Sequence, residues 1–270
     1  MKCSFVLSTQ ATAFEGVAYK GEWEHHAAKM ARLGYEGVEL AVRDPHLLDT
    51  SHVQQVLTSL GLEVPAIGTG QAYFEEGLSF TDADEAVRHR AIERIKAHID
   101  FARSLHAQVI IGLVRGRLRE GALREQAMEW LVHALTECAG YAAPDVQLVL
   151  EPINRYETNV INTIAEGLEL IQRVGADNIG LLFDTFHANI EEVSIEGAIR
   201  LAGSRLYHVH VADSNRWYPG AGHLDFPKVI ATLREIGYEG YLSIEAMPKP
   251  DADTCAQRSI AFLRGLLERA

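Results

Sequence analysis

Residues 179–184 read Ile179-Gly180-Leu181-Leu182-Phe183-Asp184, an apolar run that closes on a carboxylate. Three further runs have the same form, at residues 146–151, 206–210 and 241–245, and they close on Glu151, His210 and Glu245. Each run is too short for a buried helix and is bounded by Gly, Pro or polar residues, which favours a strand buried on both faces. The sequence therefore predicts four buried strands, each ending in a side chain that can bind a metal.

The spacing of these four side chains is regular. Successive members are 33, 26 and 35 residues apart, and a strand–helix unit of an eightfold barrel takes about 31 residues when about 250 residues form the whole. Similar apolar runs occur in the first half of the chain, at residues 3–7, 37–42, 63–67 and 108–113. Segments with helical periodicity lie between the runs, at residues 22–34, 51–60, 84–106, 121–142, 163–174, 194–202, 227–236 and 253–269.

Strict alternation of strands and helices predicts an α/β fold with a parallel sheet. An open, doubly wound sheet would show similar alternation, but about eight units with polar ends on neighbouring strands favour closure. We therefore predict a single (β/α)8 TIM barrel in one domain that covers residues 1–270. The carboxyl ends of barrel strands converge at one mouth, so the four side chains are expected to meet there.

The composition indicates a protein that acts on small molecules. A net charge of −12 discourages non-specific binding to nucleic acid or to an anionic membrane. The three cysteines, Cys3, Cys138 and Cys255, form no closely spaced metal-binding pair and suit reduced thiols in the cytoplasm. The apolar stretch behind Lys2 is too short for a signal peptide, and no stretch approaches the length of a membrane span.

Four convergent polar side chains favour a metal site over isolated helix caps. Inward carboxylates at a barrel mouth repel one another unless a cation or a proton compensates them. Three carboxylates and one imidazole suit Mn²⁺, Co²⁺ or Mg²⁺, whereas a structural zinc site would use Cys and His. We predict Mn²⁺. His208 shares a strand face with His210 but lies one layer deeper, and we interpret it as a core histidine.

Several longer segments carry a family resemblance that covers nearly the whole chain. They are residues 151–157 (Glu-Pro-Ile-Asn-Arg-Tyr-Glu), 161–163, 184–192 and 210–216. These segments resemble the ketose 3-epimerases, the D-tagatose 3-epimerase and D-psicose 3-epimerase group of the xylose-isomerase-like barrels. The resemblance implies a homodimer or homotetramer and the following roles: metal binding by Glu151, Asp184, His210 and Glu245, acid/base catalysis by Glu151 and Glu245, and binding of the substrate oxygens near C1 to C3 by Glu157, His187 and Arg216.

The chain departs from that family where family members choose their sugar. The turn at residues 219–223 reads Pro-Gly-Ala-Gly-His, where the epimerases usually keep a basic residue in a similar turn. Residues 67–73 and the arginine-rich residues 115–119 also differ from the sugar-specificity loops of the best-known members. These differences concern the identity of the sugar and not the type of reaction.

The predicted residues suit epimerisation next to a carbonyl. The reaction removes a weakly acidic proton from C3 of a ketose and returns one to the opposite face, so it needs two bases. Glu151 and Glu245, on the fifth and eighth strands, can flank a substrate whose developing enediolate the metal stabilises as a Lewis acid. Arg216 and His187 can donate hydrogen bonds to the oxygen that gains charge.

Other functions are compatible with the same residues. An aldose–ketose isomerase, such as a hydroxypyruvate-isomerase-like enzyme, would use the same metal and carboxylates to move a proton between C1 and C2. A nuclease of the endonuclease IV type shares the barrel but binds several metals through more histidines, which the acidic charge and the histidine count argue against. A non-catalytic sugar-binding barrel would not need both Glu151 and Glu245.

The arginines after the second and fourth strands raise the question of a sugar phosphate. Arg43, Arg115, Arg117 and Arg119 are predicted on the catalytic face, and an arginine fork binds phosphate well. Barrels usually hold phosphate with the loops after strands seven and eight, however, where this chain has Asn215-Arg216-Trp217 and a glycine-rich turn. We therefore predict a free ketose of five or six carbons, with its distal end against an aromatic side chain such as Tyr73 or Trp217.

Overall fold

A computed structural model, which describes residues 1–268, contains one parallel sheet that closes on itself. Its strands are β1 (Lys2–Ser8), β2 (Tyr19–Lys20), β3 (Gly37–Ala41), β4 (Ala66–Gly68), β5 (Gln108–Ile111), β6 (Leu148–Leu150), β7 (Ile179–Asp184), β8 (Leu206–Val211) and β9 (Tyr241–Ile244). Neighbouring strands pair in parallel, and β9 pairs back to β1, with Lys2 opposite Tyr241. Eight strands thus form a barrel, and the short β2 adds to the carboxyl end of β1. The predicted fold class is confirmed.

Helices surround the barrel. They are α1 (Trp23–Leu33), α2 (Thr50–Leu60), α3 (Gly70–Glu76), α4 (Glu85–Leu105), α5 (Arg124–Ala142), α6 (Ile164–Val174), α7 (Thr185–Glu191), α8 (Ile195–Ala202), α9 (Phe226–Glu235) and α10 (Ala252–Leu267). All eight predicted helical segments are present, and residue 269 of the last one lies outside the described residues. None of the helices within residues 1–268 combines the length and apolarity required to cross a membrane.

Two short helices were not predicted from the sequence, and one predicted strand starts later than expected. The helices α3 and α7 are only seven residues long each and directly follow the carboxyl ends of β4 and β7. The strand predicted at residues 63–67 begins instead at Ala66. Pro65 precedes it, and a proline has no N–H to continue the ladder of hydrogen bonds.

Most buried apolar side chains lie in two separate layers. The larger layer lies between the outer face of the sheet and the helices, and α6 illustrates it by burying Ile164, Leu170 and Ile171. The smaller layer lies inside the barrel and contains Ala66, Ile110, Val149 and Leu182, with Tyr207 packed against them. Burial on both faces explains why the strands are almost uniformly apolar.

A register shift between β7 and β8 sets the direction of the histidines. Leu181 pairs with Leu206, but Leu182 pairs with His208, so β8 carries one extra residue, Tyr207. Tyr207 packs inside the barrel, and the next residue, His208, also turns inward. A regular strand would send these neighbours to opposite faces, and the bulge removes that constraint.

Arg115 is a structural residue. Its side chain is completely buried just after β5, and its guanidinium donates to the carbonyl oxygens of Val160 (2.7 Å), Gly112 (2.8 Å) and Ile161 (3.0 Å). All of its nitrogens are therefore occupied by backbone acceptors. The hypothesis that Arg115 forms part of a phosphate fork does not fit this arrangement.

We expect Arg115→Met to lower the free energy of unfolding by about 2–4 kcal/mol, because three buried carbonyl oxygens would each lose a charged donor. Arg119→Met is the matched control, since the Arg119 side chain is 85% exposed and surface changes usually stay within about 0.5 kcal/mol. Urea unfolding of both variants measures the difference. Equal stability of the two variants would contradict the structural role of Arg115.

Candidate metal centre

The four predicted metal ligands meet at the carboxyl-terminal mouth of the barrel. Glu151 directly follows β6, Asp184 ends β7, His210 is the penultimate residue of β8, and Glu245 directly follows β9. The pairing of Asp184 with His210 in adjacent strands places these two at the same level of the barrel. One ligand atom from each of the four residues lies within 4.8 Å of those of the other three. The group could therefore hold one divalent cation.

The ring of His210 shows where such a cation fits. Its Nδ1 atom lies 3.7 Å from Glu151 Oε1, 3.7 Å from Asp184 Oδ2 and 4.0 Å from Glu245 Oε2. These separations are too long for hydrogen bonds, and within the described chain Nδ1 is buried and has no hydrogen-bond partner. A cation between the nitrogen and the three oxygens would satisfy all four groups, so the donor set fits a metal.

The electrostatics of the four residues also favour a bound cation. Burial alone would lower the pKa of His210, but the carboxylates of Glu39, Asp184 and Glu151 outweigh it and hold that pKa well above its ordinary value. Burial raises the pKa of Glu245 to about 8, and the nearby carboxylates of Glu151 and Asp184 add to this effect against His210 and Arg216. The concentrated negative charge thus attracts protons, and a divalent cation would compete for the same atoms.

Asp184 divides its two oxygens between structure and site. Oδ1 accepts hydrogen bonds from the backbone N–H groups of Phe186 (2.7 Å) and His187 (3.1 Å) and so caps the short helix α7. Oδ2 faces the His210 ring. The cap fixes the carboxylate rotamer, so the free oxygen points into the cluster without further adjustment.

Glu39 was not singled out from the sequence, although it interrupts the apolar strand β3. It is buried within the barrel, where its carboxylate lies 2.7 Å from His208 Nε2 and 3.0 Å from His210 Nε2. Burial alone would raise the pKa of Glu39, but the two histidines hold it well below its ordinary value. His208 is therefore a core histidine with a buried polar partner, as the sequence analysis interpreted it.

Glu39, His208 and His210 do not suit a second metal. Ligand atoms around a tetrahedral ion lie about 3.3 Å apart when the bonds are about 2.0–2.1 Å. The observed separations of 2.7–3.0 Å are those of direct hydrogen bonds.

The three predicted substrate-binding residues form one hydrogen-bonded chain beside the metal ligands. Arg216 donates to Glu157 Oε1 (2.8 Å) and to Glu245 Oε2 (3.1 Å). Asn154, which the sequence analysis did not select, links the rest: its Nδ2 lies 2.9 Å from Glu157 Oε1 and 2.7 Å from His187 Nδ1.

The amide of Asn154 sets the tautomer of His187. Asn154 Oδ1 accepts from the backbone N–H of Tyr156 (3.0 Å), so the amide nitrogen is the side that faces the imidazole. His187 Nδ1 must therefore accept, and Nε2 carries the proton. That Nε2 lies 3.8 Å from Glu151 Oε1, so its N–H is available to the cleft.

Arg216 is held in place by its loop and by two aromatic rings. Its φ of 60° is left-handed, which is uncommon for an arginine and marks a backbone that the surroundings enforce. Asp213 supplies that constraint, because its carboxylate accepts backbone N–H groups of Ser214, Gly220 and Leu224 across the loop. The guanidinium lies 5.4 Å from the ring centre of Phe14 and 5.1 Å from that of Phe186, within cation–π range.

The cleft in front of these residues is rimmed by aromatic side chains. Tyr73 lines its outer part together with Phe14, Phe74 and Phe186. Trp217 is not among the residues that line it, so Tyr73 is the one of the two predicted aromatic contacts that borders the described cleft. Arg117 also lines the outer cleft, whereas Arg115 does not.

Comparisons with known proteins agree with this site. A family model described as xylose isomerase-like TIM barrel matches residues 27–266. An L-ribulose 3-epimerase of Mesorhizobium japonicum is 33% identical over 92% of this chain and 83% of its own length. A D-psicose 3-epimerase of Ruminiclostridium cellulolyticum is 29% identical over 84% of this chain and 79% of its own length.

Solved structures of ketose 3-epimerases superimpose on nearly the whole chain. A structure of an L-ribulose 3-epimerase superimposes with a TM-score of 0.84 at 30% identity, covering 98% of this chain and 94% of the other. A D-allulose 3-epimerase from a Methylomonas species, in complex with D-allulose, superimposes with a TM-score of 0.81 at 27% identity, covering 98% and 97%.

We expect Mn²⁺ binding to be lost in Asp184→Ala and kept in Asp177→Ala, a matched change at an exposed aspartate just before β7. In the unaltered protein the dissociation constant should fall as the pH rises from 6 to 8, because protons on Glu245 and His210 compete with the cation below the raised pKa values. Titration calorimetry at each pH measures both effects. Undiminished binding by Asp184→Ala would rule out this group as the metal centre.

Proposed function

The chain belongs to the xylose isomerase-like TIM barrels and, among them, to the ketose 3-epimerases, and from this premise we propose that it inverts the configuration at C3 of a free ketose. The observation that carries the proposal is the meeting of Glu151, Asp184, His210 and Glu245, a group that could hold a metal ion, at one barrel mouth; two of its members are carboxylates that could act as acid and base. The names of the relatives support L-ribulose or D-psicose (D-allulose) as the substrate, and D-tagatose and D-fructose are the other free ketoses included in the proposal.

Glu151, Asp184, His210 and Glu245 would hold the divalent cation. The hard oxygen donors and the single imidazole favour Mn²⁺, with Co²⁺ or Mg²⁺ as other suitable ions. When bound, the cation supplies Lewis acidity that makes the proton next to the ketose carbonyl easier to remove.

Glu151 and Glu245 would move the protons. One carboxylate takes the C3 proton, the electron pair of the C–H bond enters the C2–C3 bond of an enediolate, and the other carboxyl returns a proton to C3 from the opposite side. Exchange with solvent then restores the protonation of the pair.

Neighbouring donors would orient the substrate. The Nε2–H group of His187 and the guanidinium of Arg216 both face Glu151 or Glu245 across the cleft, and each can donate to an oxygen that gains charge at C2 or C3. Glu157 keeps Arg216 in place and has a second oxygen that can accept a substrate hydroxyl.

The cleft supports a free sugar over a sugar phosphate. Arg115 is committed to backbone carbonyls, Glu157 adds negative charge, and Arg117 lies only in the outer cleft. Gln71 lines the inner cleft with a buried Oε1 atom that has no partner among the described residues. Ser8 donates its proton to Gln10 and must accept from Gln71, which fixes Oε1 as a free acceptor for a substrate hydroxyl.

The setting of the enzyme is part of the proposal. Its cysteines are free and buried, which suits a reducing cytoplasm. The family membership supports a homodimer or a homotetramer. We also propose that residues 1–270 of each chain form one domain.

We expect Glu245→Gln to lower kcat by about 10²–10⁴-fold, because glutamine keeps an oxygen for the metal but cannot take a proton. Exchange of the C3 proton with D₂O should slow in parallel, while part of the Mn²⁺ binding survives. Glu169→Gln, at an exposed position of α6, is the control and should behave as the unaltered enzyme. Near-normal C3 exchange in Glu245→Gln would exclude Glu245 from proton transfer.

A panel of free and phosphorylated ketoses with Mn²⁺, read by chromatography, tests the reaction and the substrate. We expect C3 epimers as products and kcat/KM at least tenfold higher for free ketoses. Aldoses as the main product would instead identify an aldose–ketose isomerase. A tenfold preference for a ketose phosphate that disappears in Arg117→Ala would overturn the free-sugar assignment.

A further inference from the structure

Glu39 is a buried carboxylate that the proposed chemistry does not use. It lies in the middle of β3 and is 1% exposed, and its partners are the rings of His208 and His210. Burying a carboxylate is unfavourable unless it is well compensated, and an apolar pair of similar volume often stabilises a fold as well or better. Fold stability alone therefore does not explain a charge at this position.

The hydrogen bonds of Glu39 determine the state of the His210 ring. Both carboxylate oxygens lie 3.0 Å from His210 Nε2, and an ionised carboxylate can only accept. His210 Nε2 must therefore carry a proton. In the neutral ring this leaves a lone pair on Nδ1, the atom that faces Glu151, Asp184 and Glu245 at 3.7–4.0 Å.

The same contact also fixes the ring orientation. A histidine ring can turn over about its Cβ–Cγ bond, which exchanges the positions of Nδ1 and Cδ2 and those of Nε2 and Cε1. Turning this ring over would replace the Nε2–H group that faces Glu39 with the Cε1–H group, remove the hydrogen bond and turn Nδ1 away from the cleft carboxylates. His208 Nε2, at 2.7 Å, holds Glu39 on its other side. The carboxylate therefore keeps its position, and this position favours one orientation of the His210 ring.

We propose that Glu39 is a positioning residue of the metal centre: by accepting the Nε2–H of His210 it fixes the tautomer and the orientation that present Nδ1 to the cation. The proposal rests on the proposed metal centre formed by Glu151, Asp184, His210 and Glu245. Hydrogen bonds of this kind behind a metal-binding histidine typically change metal affinity about 10–100-fold.

The test compares two variants of the same buried cluster. Glu39→Gln keeps the shape but removes the charge and one acceptor, whereas His208→Gln disturbs the other side of Glu39 and leaves its bond to His210 intact. We expect the Mn²⁺ dissociation constant, measured by calorimetry, to rise about 10–100-fold in Glu39→Gln and to stay within about threefold in His208→Gln. Saturating Mn²⁺ should restore most of the kcat of Glu39→Gln, which a general loss of structure would not allow.

The outcomes separate this inference from the proposed function. If the unaltered protein does not bind Mn²⁺, the metal centre itself is wrong. If the unaltered protein binds and Glu39→Gln binds equally well, or both variants weaken binding alike, only the positioning role is wrong.

A second measurement needs no variant and decides the matter if Glu39→Gln does not fold. In the unaltered protein labelled with ¹⁵N-histidine and loaded with diamagnetic Zn²⁺, the imidazole that responds to the metal should show a shifted Nδ1 and a protonated Nε2. A metal-bound Nε2, or an Nε2 without its proton, would overturn the inference.

Discussion

The site is organised around electrostatic repulsion between buried acceptors. Three carboxylates and the lone pair of His210 point at the same small volume, which is unfavourable unless positive charge lies among them. Arg216 supplies part of that charge from one side through Glu245. The fold therefore brings together groups that would separate in a less constrained chain, and this tension gives the site its affinity for a cation.

Closure of the barrel makes this arrangement sustainable. Each ligand lies at the end of a strand that is hydrogen bonded to a neighbouring strand on both sides. A ligand residue therefore cannot move away from the other ligands without breaking hydrogen bonds between strands. Each ligand also has a dedicated support: the α7 amides for Asp184, Glu39 for His210 and Arg216 for Glu245. Precision comes from these second contacts, since ligand identity alone does not orient a side chain.

The sequence predicts the parts of this design that are local. A buried strand that closes on a polar residue is visible as a short run, so the barrel and the four strand-end residues follow from pattern and spacing. Glu39 acts through a contact that is distant in the chain, since 171 residues separate it from His210, and no local pattern reports such a partner. One signal for Glu39 was present, a lone charge inside an apolar strand. Residue types also do not show where a loop side chain ends up, and the predicted contact Trp217 is not among the residues that line the cleft.

The bulge in β8 makes this strand depend on the sequence of β7, which affects the design of chimeric barrels. Tyr207 is the extra residue, and a side chain at Gly180 on β7 would collide with its ring. The strand that carries His210 thus depends on a missing side chain in its neighbour. A chimera that received β8 alone would either have a steric clash with the neighbouring strand or lose the bulge. Without the bulge, the imidazole would point to the opposite face of the sheet. The interchangeable module of this architecture is therefore the β7–β8 pair, and not the single strand–helix unit that its repeat suggests.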